Sequence, residues 1–112
     1  MKYTVVIAES ARQDLHNIFN YIALELSSPV SATRQIGRIK EAIMSLETFP
    51  ERHKIYEKEP WKSRNLRLCS ANNYYIFYIP NTENKTVTII RIFYKKRDID
   101  AQLGATSYDS EN

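Results

Sequence analysis

The chain opens on Tyr3-Thr4-Val5-Val6-Ile7-Ala8, a run rich in β-branched and aromatic side chains that predicts a first strand over 2–8. The apolar period then changes. Ala11, Leu15, Ile18, Ile22 and Leu26 recur every three to four residues, which places them on one stripe of a helix over 11–26. Ser10 with Gln13 has the form of a capping box, in which the serine oxygen takes a free amide hydrogen of the first turn and the glutamine reaches back. Ser27-Ser28-Pro29 interrupts the stripe; Ser28 suits a cap and Pro29 the first helical position. Ala32, Ile36, Ile39, Ile43 and Leu46 form a second stripe, and Pro50 stops that helix near Thr48 or Phe49. So short a link predicts an antiparallel helical hairpin. Gly37 sits inside the second helix, where it costs about 1 kcal/mol relative to alanine; close helix packing is one reason to tolerate it.

Residues 51–63 have no clear period and read as a charged connector, with Trp61 as its anchor against the sheet. From Asn65 the period becomes two. Asn65–Cys69, Tyr74–Ile79 and Thr86–Tyr94 are strand-like runs, separated by the turn clusters Ser70–Asn73 and Pro80–Lys85. Turns this short predict an antiparallel meander. Asp98 to Leu103 reads as a short last helix. The predicted order is β-α-α-β-β-β-α, an α+β class in which a helical hairpin packs on a four-stranded, mostly antiparallel sheet. Residues 1–103 form one domain, and the polar, acidic stretch 104–112 is expected to be a disordered tail.

Composition narrows the function. The 112 residues carry a net charge of +3, and the sequence pI is near 9.0. That mild excess admits an acidic partner, either nucleic acid or an acidic protein segment. Cys69 is the only cysteine, which excludes an intrachain disulfide and makes the cytoplasm the default location. The first apolar run is too short for a signal peptide or a membrane span. His16 and His53 stand apart from any ligand pattern, so no metal is expected. The only glycines are Gly37 and Gly104, which leaves no phosphate-cradling loop and no expected cofactor.

Beyond these general readings, particular strings agree with a known superfamily. "ESARQDLHNIFNYI" is similar to the first helix of ParE-like toxins, and "SLETFPE" resembles the exit from their second helix. "LRLCSANNYYIFYIPNTENKTVTIIRIFYKKRDIDAQL" resembles their C-terminal half. There, a strand bearing Arg and a Tyr-rich strand precede an Ile-rich strand that closes in basic residues. The resemblance to the RelE/ParE toxins covers about residues 2–103. It implies the toxin of a type II toxin–antitoxin pair, inhibiting growth and neutralised by a cognate antitoxin in a hetero-oligomeric complex. An antitoxin tail would extend an open sheet edge or cover an open face.

Two target classes follow from the resemblance. RelE-like toxins cut messenger RNA on the ribosome, which requires a base for the 2′-hydroxyl, an acid for the leaving oxygen and cations for the phosphorane. Here Tyr75 stands where cleaving relatives commonly carry arginine, Tyr94 stands where many carry histidine, and no histidine follows His53. The terminal catalytic tyrosine of those relatives has no evident counterpart, because Tyr108 lies in the tail. These departures favour the ParE manner, in which DNA gyrase is blocked by binding. A ribosome-dependent endoribonuclease is the alternative, with Arg67, Tyr94, Lys95 and Arg97 as its candidate catalytic set; a non-toxic partner-binding relative is the third. For either binding mode the candidate contact residues are Arg67, Tyr75, Phe77, Lys95, Lys96 and Arg97. Antiparallel pairing could bring Arg67 beside the three cations at the end of the last strand. Tyr74, Ile76 and Tyr78 should share one sheet face, with Tyr75, Phe77 and Ile79 on the other. One face would pack on the helices, and the second is expected to stay open for a partner.

Overall fold

The computed structural model describes residues 2–106. Strand β1 (Thr4–Ile7) leads into helix α1 (Glu9–Asn20), which continues through a π-helical turn, Tyr21–Glu25. Helix α2 (Pro29–Met44) comes next and tightens into two short 3-10 turns, Ser45–Glu47 and Pro50–Arg52. Strands β2 (Arg67–Ala71), β3 (Tyr74–Asn81) and β4 (Thr86–Tyr94) precede helix α3 (Ile99–Gly104). This is the predicted element order. Helix α3 is held as far as Thr106, whose hydroxyl donates to the Gln102 carbonyl at 2.8 Å. The remainder of the expected tail, 107–112, lies outside the described residues.

The sheet runs β1-β4-β3-β2. β2–β3 and β3–β4 are the expected antiparallel meander, whereas β1 lies parallel to β4, with Thr4 opposite Thr86 and Ile7 opposite Ile89. The helical hairpin is the crossover that a parallel pair requires. A register shift pairs Phe77 with Arg91 but Tyr78 with Ile89, leaving Ile90 as an extra residue. That bulge resets the alternation of β4. Ile89 and Ile92 both face the helices, while Ile90 and Phe93 face away.

The helix-side core joins Ala11, Ile39, Ile43 and Leu46 to Tyr74, Ile76, Tyr78, Val87, Ile89 and Ile92. The split of aromatic residues between faces is as expected, but the far face is not open. The connector and α3 cover it, burying Phe77 (0% exposed), Ile90 and Phe93 under Trp61, Leu66 and Leu103, with Tyr56 packed alongside. Apolar side chains crowd both faces of the sheet, and one hairpin reaches only one of them; the connector with its Trp61 covers the other.

Two local expectations are corrected. Ser10 caps nothing: α1 begins at Glu9 with Ala8 as its uncapped N-terminal residue, and the Ser10 hydroxyl donates instead to the Ile90 carbonyl at 2.8 Å. Gln13 pairs with Asn17. Gly37 is not held by close packing either, since a Cβ built there meets nothing within 4 Å.

Candidate functional site

β1 is only four residues long, so the outer edge of β4 loses its strand partner after Ile89. Helix α1 takes over. The Ala8 amide donates to the Ile89 carbonyl (2.9 Å), the Ser10 hydroxyl to the Ile90 carbonyl, and the Ile92 amide to the Asp14 carboxylate (2.9 Å). Side chains thus satisfy edge groups that would otherwise be buried without partners. Asp14, 9% exposed, also takes both arms of Arg91, Nε at 2.7 Å and Nη2 at 2.9 Å. The third nitrogen of Arg91 donates to the Thr106 hydroxyl at 2.9 Å, and the guanidinium lies 4.5 Å from the Phe93 ring centroid. One ion pair therefore ties α1, β4 and the end of α3 together.

Beside this pair lies a groove of about 720 Å³ between α1 with its π-helical turn, α2 and the sheet. Asn17, Ile18, Tyr21, Ile22 and Leu26 form one wall, Ser31 and Gln35 of α2 the end, and Asn73, Tyr74, Ile92 and Tyr94 the floor, with Arg97 at the rim. The π-helical turn begins at Tyr21, where the Leu26 amide reaches back to the Tyr21 carbonyl (3.2 Å). Such a turn adds a residue to the helix and rotates the side chains beyond it. Tyr21 and Leu26 are left 56% and 57% exposed. Tyr74 and Tyr94 meet edge to face at 5.7 Å. Burial, and then the neighbouring phenols of Tyr94 and Tyr21, push Tyr74 above the ordinary phenol range, so it remains a neutral hydroxyl. The Nε2 of Gln35 is buried without a hydrogen-bond partner. The groove thus offers aromatic and aliphatic surface, carboxamides and one outlying cation.

The sequence-predicted set is dispersed. Tyr94 and Arg97 share the groove. Lys95 lies over the Tyr75 ring on the far face, 5.3 Å from its centroid, and Lys96 is exposed in the turn after β4. Phe77 is core, packed edge to face with Tyr56 at 5.7 Å. Arg67 does not join the other cations. It pairs with Tyr78, four residues along β3 from the Tyr74 that pairs with Tyr94, which is about 13 Å of strand. Its Nη1 donates to the Glu51 and His53 carbonyls at 2.9 and 2.6 Å, so Arg67 clips the connector to β2. The antiparallel register runs β2 and β4 in the same direction, which puts the start of one and the end of the other at opposite ends of the sheet.

His53 stands away from the groove, edge to face with Tyr78, and its pKa is lowered by burial and then by the Arg52 charge. His16 is exposed and hydrogen-bonds Asn20. Among the described residues no group of three His, Cys, Asp or Glu side chains is placed to hold a metal, and no helix is long and apolar enough to cross a membrane. Sequence reasoning missed Asp14, Arg91, Asn17, Tyr21 and Gln35. Asp14 and Arg91 carried a signal: a carboxylate beside the apolar stripe of α1, and the lone charge within Thr86–Tyr94.

The same architecture occurs in known proteins. The family model described as "ParE toxin of type II toxin-antitoxin system, parDE" matches residues 5–99. Among solved structures, the RelBE2 toxin–antitoxin complex from Mycobacterium tuberculosis contains a chain 22% identical with a TM-score of 0.66, the match covering 87% of this chain and 95% of that one. A chain of the chromosomal ParDE system from P. aeruginosa is 18% identical, with TM-score 0.68 and coverages of 83% and 96%. A mutant of the E. coli toxin RelE in the free state is 11% identical, with TM-score 0.64 and coverages of 91% and 93%. No protein of curated function matches the sequence significantly.

Proposed function

The chain belongs to the ParE toxin family of type II toxin–antitoxin systems, and from that membership we propose that it inhibits growth by binding, with DNA gyrase as its target in the ParE manner. The observation that carries this reading is the chemistry of the groove. Of the two guanidinium groups it holds among the described residues, Arg91 is engaged by Asp14 and Arg97 stands at the rim; neither His16 nor His53 lines it. Transphosphorylation needs a positioned base and acid, whereas binding needs surface. Aromatic rings with hydroxyl and amide ends are what protein interfaces favour.

The cognate antitoxin is proposed to occupy the same groove. Two of the similar structures are a toxin–antitoxin complex and a ParDE system, and Arg97 with the overall charge of +3 suits an acidic segment. A hetero-oligomer in the cytoplasm follows. One observation favours the endoribonuclease reading: Tyr94 and Arg97 share the groove, a phenol and a cation without the rest of a nuclease set.

The test adds purified protein to gyrase supercoiling a relaxed plasmid, and in parallel to translating ribosomes. Loss of supercoiling with intact message is expected. Codon-phased cuts in the message with undisturbed supercoiling would replace this reading with the ribosomal one. Normal growth on induced expression would leave only the non-toxic, partner-binding relative.

A further inference from the structure

Five residues other than glycine among those described have positive φ, and four of them (Ser27, Asn65, Asn72 and Lys85) are polar. The fifth is Phe49, at φ 46° and ψ 59°. A bulky side chain in the left-handed region is a strained choice where glycine would fit freely. The strain achieves an orientation. Pro50 next to it is buried, with its carbonyl accepting the Tyr78 hydroxyl at 2.6 Å, while the Phe49 ring is 76% exposed. Arg52 locks the loop. Its guanidinium donates to the Thr48 carbonyl, to the Phe49 carbonyl at 3.1 Å, and to the Ser45 carbonyl and hydroxyl at 3.4 and 3.2 Å. The backbone that carries the phenyl ring is thus locked in a strained conformation, and the ring gains no burial from it.

We propose that Phe49 is a preorganised anchor that inserts into an apolar pocket on the toxin's protein target, a surface separate from the groove. This rests on the reading that the toxin acts by binding a protein. A residue whose backbone is fixed in advance has only its two side-chain torsions left to order on docking, and buried aromatic anchors dominate interface energetics. The charge around it selects a protein over a phosphate-bearing partner. Leu46–Arg52 carries two carboxylates, Glu47 and Glu51, and one guanidinium already spent on the loop; Lys2 is paired with Glu47 at 3.5 Å. Nucleic acid or an anionic membrane would meet carboxylates without a free cation in that stretch, whereas a protein pocket with a basic rim complements them. The location adds a second contact to the groove rather than replacing it. The loop joins the start of β1 through the Tyr3 amide to the Glu47 carbonyl (2.8 Å), at the end of the sheet where Lys85 also bonds Thr4, opposite the Asn73 and Tyr94 end that floors the groove.

The test compares wild type, Phe49→Gly and Phe49→Asn, both substitutions tolerating the left-handed backbone. Thermal melts are run on the purified proteins, and growth arrest is titrated against measured expression. The expected result is a melting point at or above that of wild type together with at least a tenfold (~1.4 kcal/mol) rise in the protein level needed for arrest. Wild-type potency in either variant overturns the proposal, and so does a lowered melting point in both, which would make the ring structural. A wild-type protein that leaves growth unaffected sinks the binding-toxin reading itself.

Discussion

Replacing Asp14 with alanine removes the acceptor for three hydrogen bonds at once, two from Arg91 and one from the Ile92 amide. The ion pair is nearly dry: the Arg91 and Asp14 side chains are 16% and 11% exposed. Breaking a buried pair by deleting one partner costs about 3–5 kcal/mol, chiefly because the other charge is left without compensation. The residual exposure and the retained Arg91–Thr106 bond argue for the lower end, about 3 kcal/mol. For a domain of this size that lowers the melting point by roughly 12 °C. Urea denaturation followed by the single tryptophan, Trp61, which is 4% exposed in the native fold, measures it directly. Arg91→Ala and the Asp14→Ala/Arg91→Ala double variant complete a cycle. The double variant should cost clearly less than the sum of the singles, because it removes both charges, with a coupling of about 2 kcal/mol. The Ile92 amide, orphaned by either Asp14 change, keeps the double variant from returning to wild-type stability. A cost below about 1 kcal/mol for Asp14→Ala, or additive singles, would refute the account of α1 as the substitute edge strand.

Four further outcomes test other parts of the structure. Gly37→Ala should stabilise the protein by about 1 kcal/mol, since its Cβ enters open space on the helix; a lower urea midpoint would contradict this. Arg67→Ala should lower stability by about 2 kcal/mol through loss of the Glu51 and His53 carbonyl clip, yet leave potency per folded molecule intact. Arg97→Ala should do the reverse, and the pattern is read from melts beside growth titrations. Asp100 of α3 accepts from the Tyr56 hydroxyl and from the Lys58 ammonium, and this clip between the connector and α3 should be sensitive to pH at both ends. The Asp100 carboxyl is held below its ordinary 3.8, first by the Lys58 ammonium and then by the Tyr56 hydroxyl, so its contribution is complete above 3.8 and is lost as pH falls through the lowered value. Tyr56 is pushed up to about 12, mainly by burial and then by Asp100, so its contribution holds below pH 10 and is lost as pH rises toward 12. Methyl NMR of Leu103 should show α3 loosening in both windows, and a signal unchanged through the acid limb would refute the clip.

Much of this protein was fixed by residue spacing. The period of 3.6 in Ala11–Leu26 and Ala32–Leu46, and the period of two from Asn65 onward, are local consequences of which side chains can share a face; they specify two helices and a meander wherever the chain folds. The division of Tyr74, Ile76 and Tyr78 from Tyr75, Phe77 and Ile79 was legible for the same reason. The toxin family was legible because strings of local pattern recur in order.

The folded chain was needed for whatever depends on pairing between distant segments. Strand alternation says which residues share a face, not which strand end meets which, so the spacing of Arg67 from Arg97 was decided by register. Nor does an apolar face announce its cover. A connector without periodicity closed the side expected to be open, because Trp61 and Leu66 lose more apolar surface to the sheet there than they could in water. The groove itself has no sequence signature. It lies where β1, four residues long, no longer pairs with β4 and α1 satisfies that edge instead. Hydrogen-bond demand at a strand edge, settled only when the sheet assembles, is what turned a polar residue on an amphipathic helix into the foundation of the candidate site.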